Sequence, residues 1–527
     1  MFQRRFAILL AGFLTFSAIP FPAMAEEAEA LPSFVDYAQE NLESRFAQIE
    51  ELDYNYSFSP DAEMGFTFSL GDMGKMMAGM FLPVDLTPLS SAGVRFKGTL
   101  EDGALGGSMN LQVNATDIVR ILFTYDPATQ KYTLAVPDLT DKALSGLYTD
   151  ILDNVSNAAD AEELEEYFRN YYEKFKKMLG GYDTKALTDD MDKVTGVLKE
   201  ISTIVLSHMQ SDVSQRTTYE FDDFTQDCIY ATGYLYLTEF SALMTEVLTY
   251  VRDNEDVLYL IEKMESLQED GELLTKESFQ SKIDEILSEI PEEDTSLTEN
   301  DFIQAGLYVN EAGEVIGKDF TLFEEQEPLA SLSFATPSQD EKKGLDIICY
   351  VGDGTVVQLK GEGIQEGDVL EGTYTASLNG TPLAEIKASD VHAVKGESFN
   401  GTLTIAPVIP EEGASDEFGL SSMLGFFSGF DITATVASTP KVGSCDLSIN
   451  ASGSALLSVI ADWNGENPVD MPAEPAETVD IFNAEGDVLD EFMASLDPTP
   501  IMANLEKAGL SMEYIGQLFQ MFGGSEE

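Results

Sequence analysis

Met73, Met76, Met77 and Met80 stand at positions i, i+3, i+4 and i+7, with Phe81 after them and Pro83 as a stop. That spacing predicts one face of a helix carrying four thioethers. Methionine is unbranched and polarizable, so such a face adapts to varied apolar partners. Gly71, Gly74 and Gly79 interrupt the run and weaken the helix. Two readings follow: a flexible lid or wall over an apolar cavity, or an ordinary buried helix. Two further segments are of the same soft, glycine-containing kind. One holds Met423, Phe426 and Phe427; the other is a helix from about Ser511 that carries Ile515 and Phe519. If the fold brings the three together, they line one apolar ligand site.

Other chemistry is sparse. The two histidines, His208 and His392, lie far apart, and no H-E-x-x-H, G-x-S-x-G or phosphate-loop pattern occurs. Ser438-Thr439-Pro440-Lys441 matches S-x-x-K only with a helix-breaking proline inside it. The acidic stretches at Asp189–Asp192 and Asp253–Asp256 lack the glycine and glutamate spacing of a calcium loop. No metal site, cofactor or catalytic group is therefore expected, beyond the weak divalent-cation binding of any strongly acidic surface. Cys228, Cys349 and Cys445 are too few for a disulfide scaffold. Cys349 and Cys445 sit in strand-like text and could pair; the alternative is three buried thiols.

The balance of 94 acidic against 29 basic residues gives 527 residues a formal net charge of −65. A surface this negative repels phosphate backbones and anionic lipid surfaces, which excludes nucleic acid as a partner. The chain is still 44% hydrophobic, enough to build large cores.

The elements that must hold these segments can be read along the chain. Arg4 and Arg5, the apolar run from Phe6 to Ala18, and Ala23-Met24-Ala25 read as a secretory signal over residues 1–25. An exported chain without a membrane-spanning segment is expected. Ser33 predicts the N-cap of a first helix, reaching about Leu52. Helical stripes follow at 164–179, at Leu187 to Met209, at Phe240 to Val251 and at Phe279 to Ile290, the last started by Thr275. Strand text surrounds them: Tyr54 to Phe68, Val94 to Val136, Ile229 to Leu237, and a long series from about Asp301 to Asp462. Asn379-Gly380 marks the strongest hairpin. Short connections predict antiparallel pairing. The expected fold is α+β, a curved, half-open barrel-like antiparallel sheet with amphipathic helices packed on one face. Its expected parts are 26–298, strands enclosing a helical block; 299–466, a continuing β meander; and 467–527, an acidic linker and a C-terminal amphipathic helix.

In layout the chain resembles the exported lipoprotein-carrier superfamily. The likeness rests on the helix after the signal, on Gly98-Thr99-Leu100 and Lys131-Tyr132-Thr133-Leu134-Ala135-Val136-Pro137, and on the later meander. It also resembles large acidic exported proteins of Gram-positive bacteria, in phrases such as Tyr132-x-Leu134-x-Val136-Pro137-x-Leu139 and Val251-Arg252-Asp253-Asn254-Glu255-Asp256-Val257-Leu258. The resemblance implies a half-barrel cupping a helical lid, and a lipid-like or acylated ligand. The sequence thus predicts a non-enzymatic exported carrier. The alternative is a cell-surface interaction protein with a solid core.

Overall fold

The computed structural model describes residues 31–50, 61–80, 85–101, 104–126, 128–147, 184–222, 224–265, 275–290, 297–394, 398–409, 425, 427–439, 441–480, 483–484 and 486–522. The signal segment, the stripe at 164–179, and Phe81, Met423 and Phe426 lie outside them.

In chain order come α1 (Phe34–Glu50), β1 (Ala62–Leu70), α2 (Asp72–Gly79), β2 (Ser91–Glu101), β3 (Ala104–Val113), β4 (Thr116–Asp126), β5 (Lys131–Ala135) and β6 (Ala143–Leu147). Next are α3 (Thr184–Ser207), β7 (Gln210–Ser211), β8 (Gln215–Phe221), β9 (Phe224–Tyr236), α4 (Phe240–Asp253), α5 (Glu255–Glu265) and α6 (Lys276–Glu289). The meander is β10 (Phe302–Asn310), β11 (Val315–Glu324), β12 (Glu327–Ala335), β13 (Ser338–Gln339), β14 (Lys342–Val351), β15 (Thr355–Glu366), β16 (Val369–Leu378), β17 (Thr381–Val394), β18 (Ser398–Pro407), β19 (Phe430–Ser438), β20 (Val442–Ala451) and β21 (Ser454–Asn464). The chain closes with β22 (Thr478–Asp480), α7 (Gly486–Ala494), α8 (Thr499–Lys507) and α9 (Met512–Phe522). The α+β class with antiparallel sheet is as expected. One short pair, β22 with β6, is parallel.

Two compact units form, each from separated segments: residues 1–55, 183–389 and 408–426 in one, and 56–182, 390–407 and 427–527 in the other. The expected boundary after 298 falls inside the first unit, and 467–527 belongs to the second.

The first unit orders β9–β10–β11–β12–β14–β15–β16, with β7 and β8 both on β9. Alternate residues of β10 (Ile303, Ala305, Leu307 and Val309) face the helices and join Phe34, Ala38, Leu42, Leu206 and Leu243 in one buried core. Helix α1 starts at a reciprocal cap: the Asp36 N–H donates to the Ser33 hydroxyl and the Ser33 N–H to the Asp36 carboxylate. Gly233 of β9 leaves the space that the fully buried Phe34 ring fills. The Ser278 N–H donates to Thr275, which caps α6. Asn254, inside an acidic stretch, receives the N–H groups of Asp256 and Val257 and so starts α5, a helix that the apolar spacing did not reveal. Asn379 and Gly380 both take positive φ, 49° and 76°, as a tight hairpin turn requires.

The second unit orders β18–β19–β20–β21–β1–β2–β3–β4–β5–β6–β22. At one end of its strands, Leu86, Leu510, Tyr514 and Ile515 form a small core with Leu70, Ala78, Val113, Met502 and Leu505. The Asn114 side chain ties that end together. It accepts from the N–H groups of Ser90 and Ser91 and donates to the carbonyls of Pro88 and Ala508.

Helix α2 sits differently from either reading of its methionine stripe. Its inner side is glycine: a Cβ at Gly71 or Gly74 would run into the carbonyl oxygens of Ala455 and Leu456 on β21. Backbone meets backbone there, so the methionines are left on the other side. Met76, Met77 and Met80 are exposed by 60%, 40% and 72%, and Met73 is half-buried. The three exposed methionines are thus neither a buried helix face nor a wall closed over a cavity. Gly74→Leu should displace α2 and lower stability by about 1–3 kcal/mol. Gly79→Ala, where a Cβ meets nothing, should be neutral or stabilise by up to about 1 kcal/mol. Thermal unfolding of the two variants checks the pair.

Candidate functional site

Along β1 the residue order is Met64, Gly65, Phe66, Thr67, Phe68, Ser69. The pleat sends alternate residues to opposite faces. The register then extends each face across the second unit. Met64 pairs with Phe96 of β2 and Trp463 of β21; Phe66 pairs with Val94 and Ala461; Phe68 pairs with Ala92 and Val459. On one side the row continues from Val459 to Leu447, Ala434 and Leu403. On the other it continues from Val94 to Leu111 and Val119. Residues of this face on β18 to β21 and β1 to β5 include Phe399, Ile405, Ile432, Ile449, Met109, Ile121, Phe123 and Leu134. From Phe399 on β18 to Leu134 on β5, the described positions of this face carry no charged side chain, since the register shift between Leu111 and Gln112 sets Asp117 opposite Gln112 on the other face.

This face is exposed. Met64, Phe66, Phe68, Phe96, Leu111, Leu403, Ile405, Ile432 and Leu447 each show 40–47% of their surface, and Leu134, Phe399, Ile449 and Val459 are similar. At roughly 150–200 Å² per large apolar side chain, these thirteen expose on the order of 900 Å². The largest apolar patch of an ordinary monomer is about 300–600 Å².

The opposite face is polar and bonded to itself. The Arg95 guanidinium lies 2.8 Å from Glu63 and 3.0 Å from Asp462, and Lys97 is 3.4 Å from Glu63. Gly65, between them, leaves room: a Cβ there would touch both Asp462 and Arg95. Burial pushes the Glu63 pKa up, but Arg95 and Lys97 outweigh it and hold the carboxyl below its usual range. The ladder continues through Ser448 and Ser458 donating to Asp446, Asn450 and Thr433 donating to Asp431, and the hydroxyl pairs Thr404–Thr433 and Thr402–Thr435.

Of the residues expected to line a site, Ile515 is buried in the small core at the end of this face, where Leu70, Val113 and Ala78 of α2 also pack. Two of the three soft segments therefore meet, α2 through Ala78 rather than through methionine. Phe427 is 44% exposed and meets the edge of Phe430 at 6.1 Å. Phe519 lies on α9. Sequence reasoning missed the strand face itself. Its signal was the parity shared by Phe66, Phe68, Val94 and Phe96, readable only once β1 and β2 are paired.

The first unit carries a second cluster on the sheet face turned away from its helices. Tyr230 and Tyr308 are cross-strand partners, with ring centroids 4.6 Å apart, and Tyr219 meets Tyr308 edge-on at 5.1 Å. The Tyr230 hydroxyl donates to Asp319 at 3.1 Å, and the Gln304 amide donates to the same hydroxyl at 3.3 Å. Gly306 makes this possible, since a Cβ there would strike both Tyr230 and Asp319. Burial pushes the Asp319 pKa up to about 6 despite the bonds from Tyr230 and Tyr308, and pushes the Tyr308 phenol up to about 12.

All three thiols are free. Cys228 is buried, and burial pushes its pKa up, which makes it a weaker nucleophile. It borders a surface pocket of about 270 Å³ with Arg216, Asp227 and Glu311. A shallower pocket of about 420 Å³ lies where Gly363 and Gly372 pair, between Lys342, Lys387, Glu362 and Glu371. Both pockets have mixed polar linings. Asp189 to Asp192 lie on α3, where Asp190 pairs with Lys263, and Asp253 pairs with Arg252. His208 meets Glu246 at 2.9 Å. Among the described residues, no three His, Cys, Asp or Glu side chains gather as a metal site, and no helix is long and apolar enough to cross a membrane.

Comparison with known proteins finds no matching family, no matching curated protein and no matching solved structure.

The raised Asp319 pKa fixes a pH response. The folded state holds this proton more tightly than the unfolded chain, so stability falls as pH rises from about 4 to about 6. Asp319→Asn keeps an acceptor for Tyr230 and removes that slope. Because Asp319 keeps some solvent contact, the variant should exceed the parent near neutral pH by about 1–3 kcal/mol and lose that advantage towards pH 4. Urea unfolding across this range measures the difference.

Proposed function

We propose that the protein is an exported, non-enzymatic binding or carrier protein, and that it seats the apolar chain of a lipid-like or acylated ligand on the exposed apolar sheet face of its second unit. One observation supports this reading above the others: an unbroken apolar sheet face, free of charged side chains over its described positions and about twice the usual patch area. Water against such a face is unfavourable by roughly 25 cal/mol per Å², so an alkyl chain laid across Phe66, Phe68 and Phe96 gains from displacing it. Many polar side chains behind this face bond to one another, as Arg95 does with Glu63 and Asp462 and Asn450 with Asp431. In this reading the sheet is the floor of a half-open cup, and the small core around Leu510 and Ile515 closes one end of the floor.

The chain has a single tryptophan, and Trp463 stands on this face beside Met64. Its fluorescence therefore reports on the seat directly. An uncharged single-chain amphiphile with bromine in its alkyl chain should quench Trp463 emission saturably, and the unbrominated analogue should shift the emission to shorter wavelength. The double variant Phe66→Ser/Phe68→Ser should weaken binding by about tenfold or more while unfolding at a similar temperature, because both rings are half-exposed already. Absence of both quenching and binding heat would sink the proposal. A concentration-dependent dimer in sedimentation that excludes the amphiphile would instead favour the interaction-protein reading.

A further inference from the structure

The apolar face explains a chain but leaves the head group open, and charge bears on that choice. The whole molecule carries 94 acidic and 29 basic residues. Three cations on or beside the sheet behind the seat are already ion-paired: Arg95 with Glu63 and Asp462, Lys97 with Glu63, and Lys142 at the sheet margin with Glu477. An anionic head group placed here meets a strongly negative field and must compete with short ion pairs for any cation. A positive head group meets the opposite situation. The seat is also aromatic. The Trp463 ring lies over Gly443, with Met64 and Phe96 next in the same cross-strand row. Phe66 and Phe68 follow on β1. Ring faces attract ammonium groups, tryptophan most strongly.

We infer that the ligand is a positively charged amphiphile, an alkyl or acyl chain ending in an ammonium group, and that anionic lipids are rejected. This rests on the reading of the apolar face as a ligand seat. The cation is held by long-range attraction from the acidic surface together with ring contact at Trp463, while the chain lies across Phe66 and Phe68.

Three probes with the same twelve-carbon chain separate the head group from the seat: dodecyltrimethylammonium, dodecyl maltoside and dodecanoate. Each is titrated into the full-length protein below its micelle concentration, by calorimetry, at roughly 10 mM and roughly 500 mM salt. The ammonium probe should bind with unit stoichiometry and about tenfold more tightly than the maltoside at low salt, and dodecanoate about tenfold more weakly. High salt should shrink both gaps. Trp463→Leu should lower the ammonium-to-maltoside ratio by about two- to fivefold and leave its salt-dependent part in place, and Phe66→Ser/Phe68→Ser should weaken both probes. Dodecanoate binding as tightly as the ammonium probe would overturn the head-group assignment, with maltoside binding leaving the seat intact. Ammonium binding at many sites per chain, unchanged in the double variant, would overturn it too, since that marks surface association alone. If maltoside fails to bind as well, the seat itself falls.

Discussion

The strand pleat of the second unit is the constraint on which the rest depends. Side chains alternate with a period of two, and each strand from β18 round to β5 puts its apolar set on the same side. Arg95, held between Glu63 and Asp462 above Gly65, joins β2, β1 and β21 at one level. A slip of one residue would break these pairs and turn Phe66 and Phe68 to the other face. The hydroxyl and carboxylate ladder at Thr402, Thr433, Asp431, Asp446 and Asn450 repeats the same lock on the neighbouring strands.

The two units solve one physical problem in different ways. In the first, helices α1, α3 and α4 cover the apolar side of the sheet, and the other side is tyrosine, glutamine and a part-buried aspartate. In the second, among the described residues, the small core around Leu510 and Ile515 covers one end of the apolar side, and large side chains elsewhere on it are 36–47% exposed. The same α+β grammar thus yields a conventional core in one unit and an open hydrophobic floor in the other. The high acidic charge opposes face-to-face association of two such floors, since like-charged molecules repel one another.

Much of the local structure was legible from residue types. Ser33 and Thr275 start helices where their hydroxyls meet a free N–H. Asn379-Gly380 forms its turn because both residues accept positive φ. Hairpins around Asn310–Gly313 and Gly352–Gly354 fall where polar turn residues interrupt alternation. The methionine stripe was legible as a helix and misleading as a face. Periodicity ranks side chains by hydrophobicity, whereas Gly71 and Gly74 win the inward position by bringing backbone against β21. Helix α5 was hidden because acidic residues dominate its first turn and Asn254 supplies its start.

By itself the sequence determined the antiparallel α+β class, the caps and turns, the absence of familiar catalytic motifs and the field of a chain with net charge −65. These are local or additive properties, fixed by neighbouring residues or by simple sums. Only the tertiary structure decided which residues share a face. Phe66, Phe96, Leu403 and Leu447 are separated by up to hundreds of positions, and strand register alone makes them one surface. It also decided that Asp319 meets Tyr230 over Gly306, and that glycine rather than methionine carries α2. Pairing across strands is a long-range choice, and no spacing along the chain encodes it.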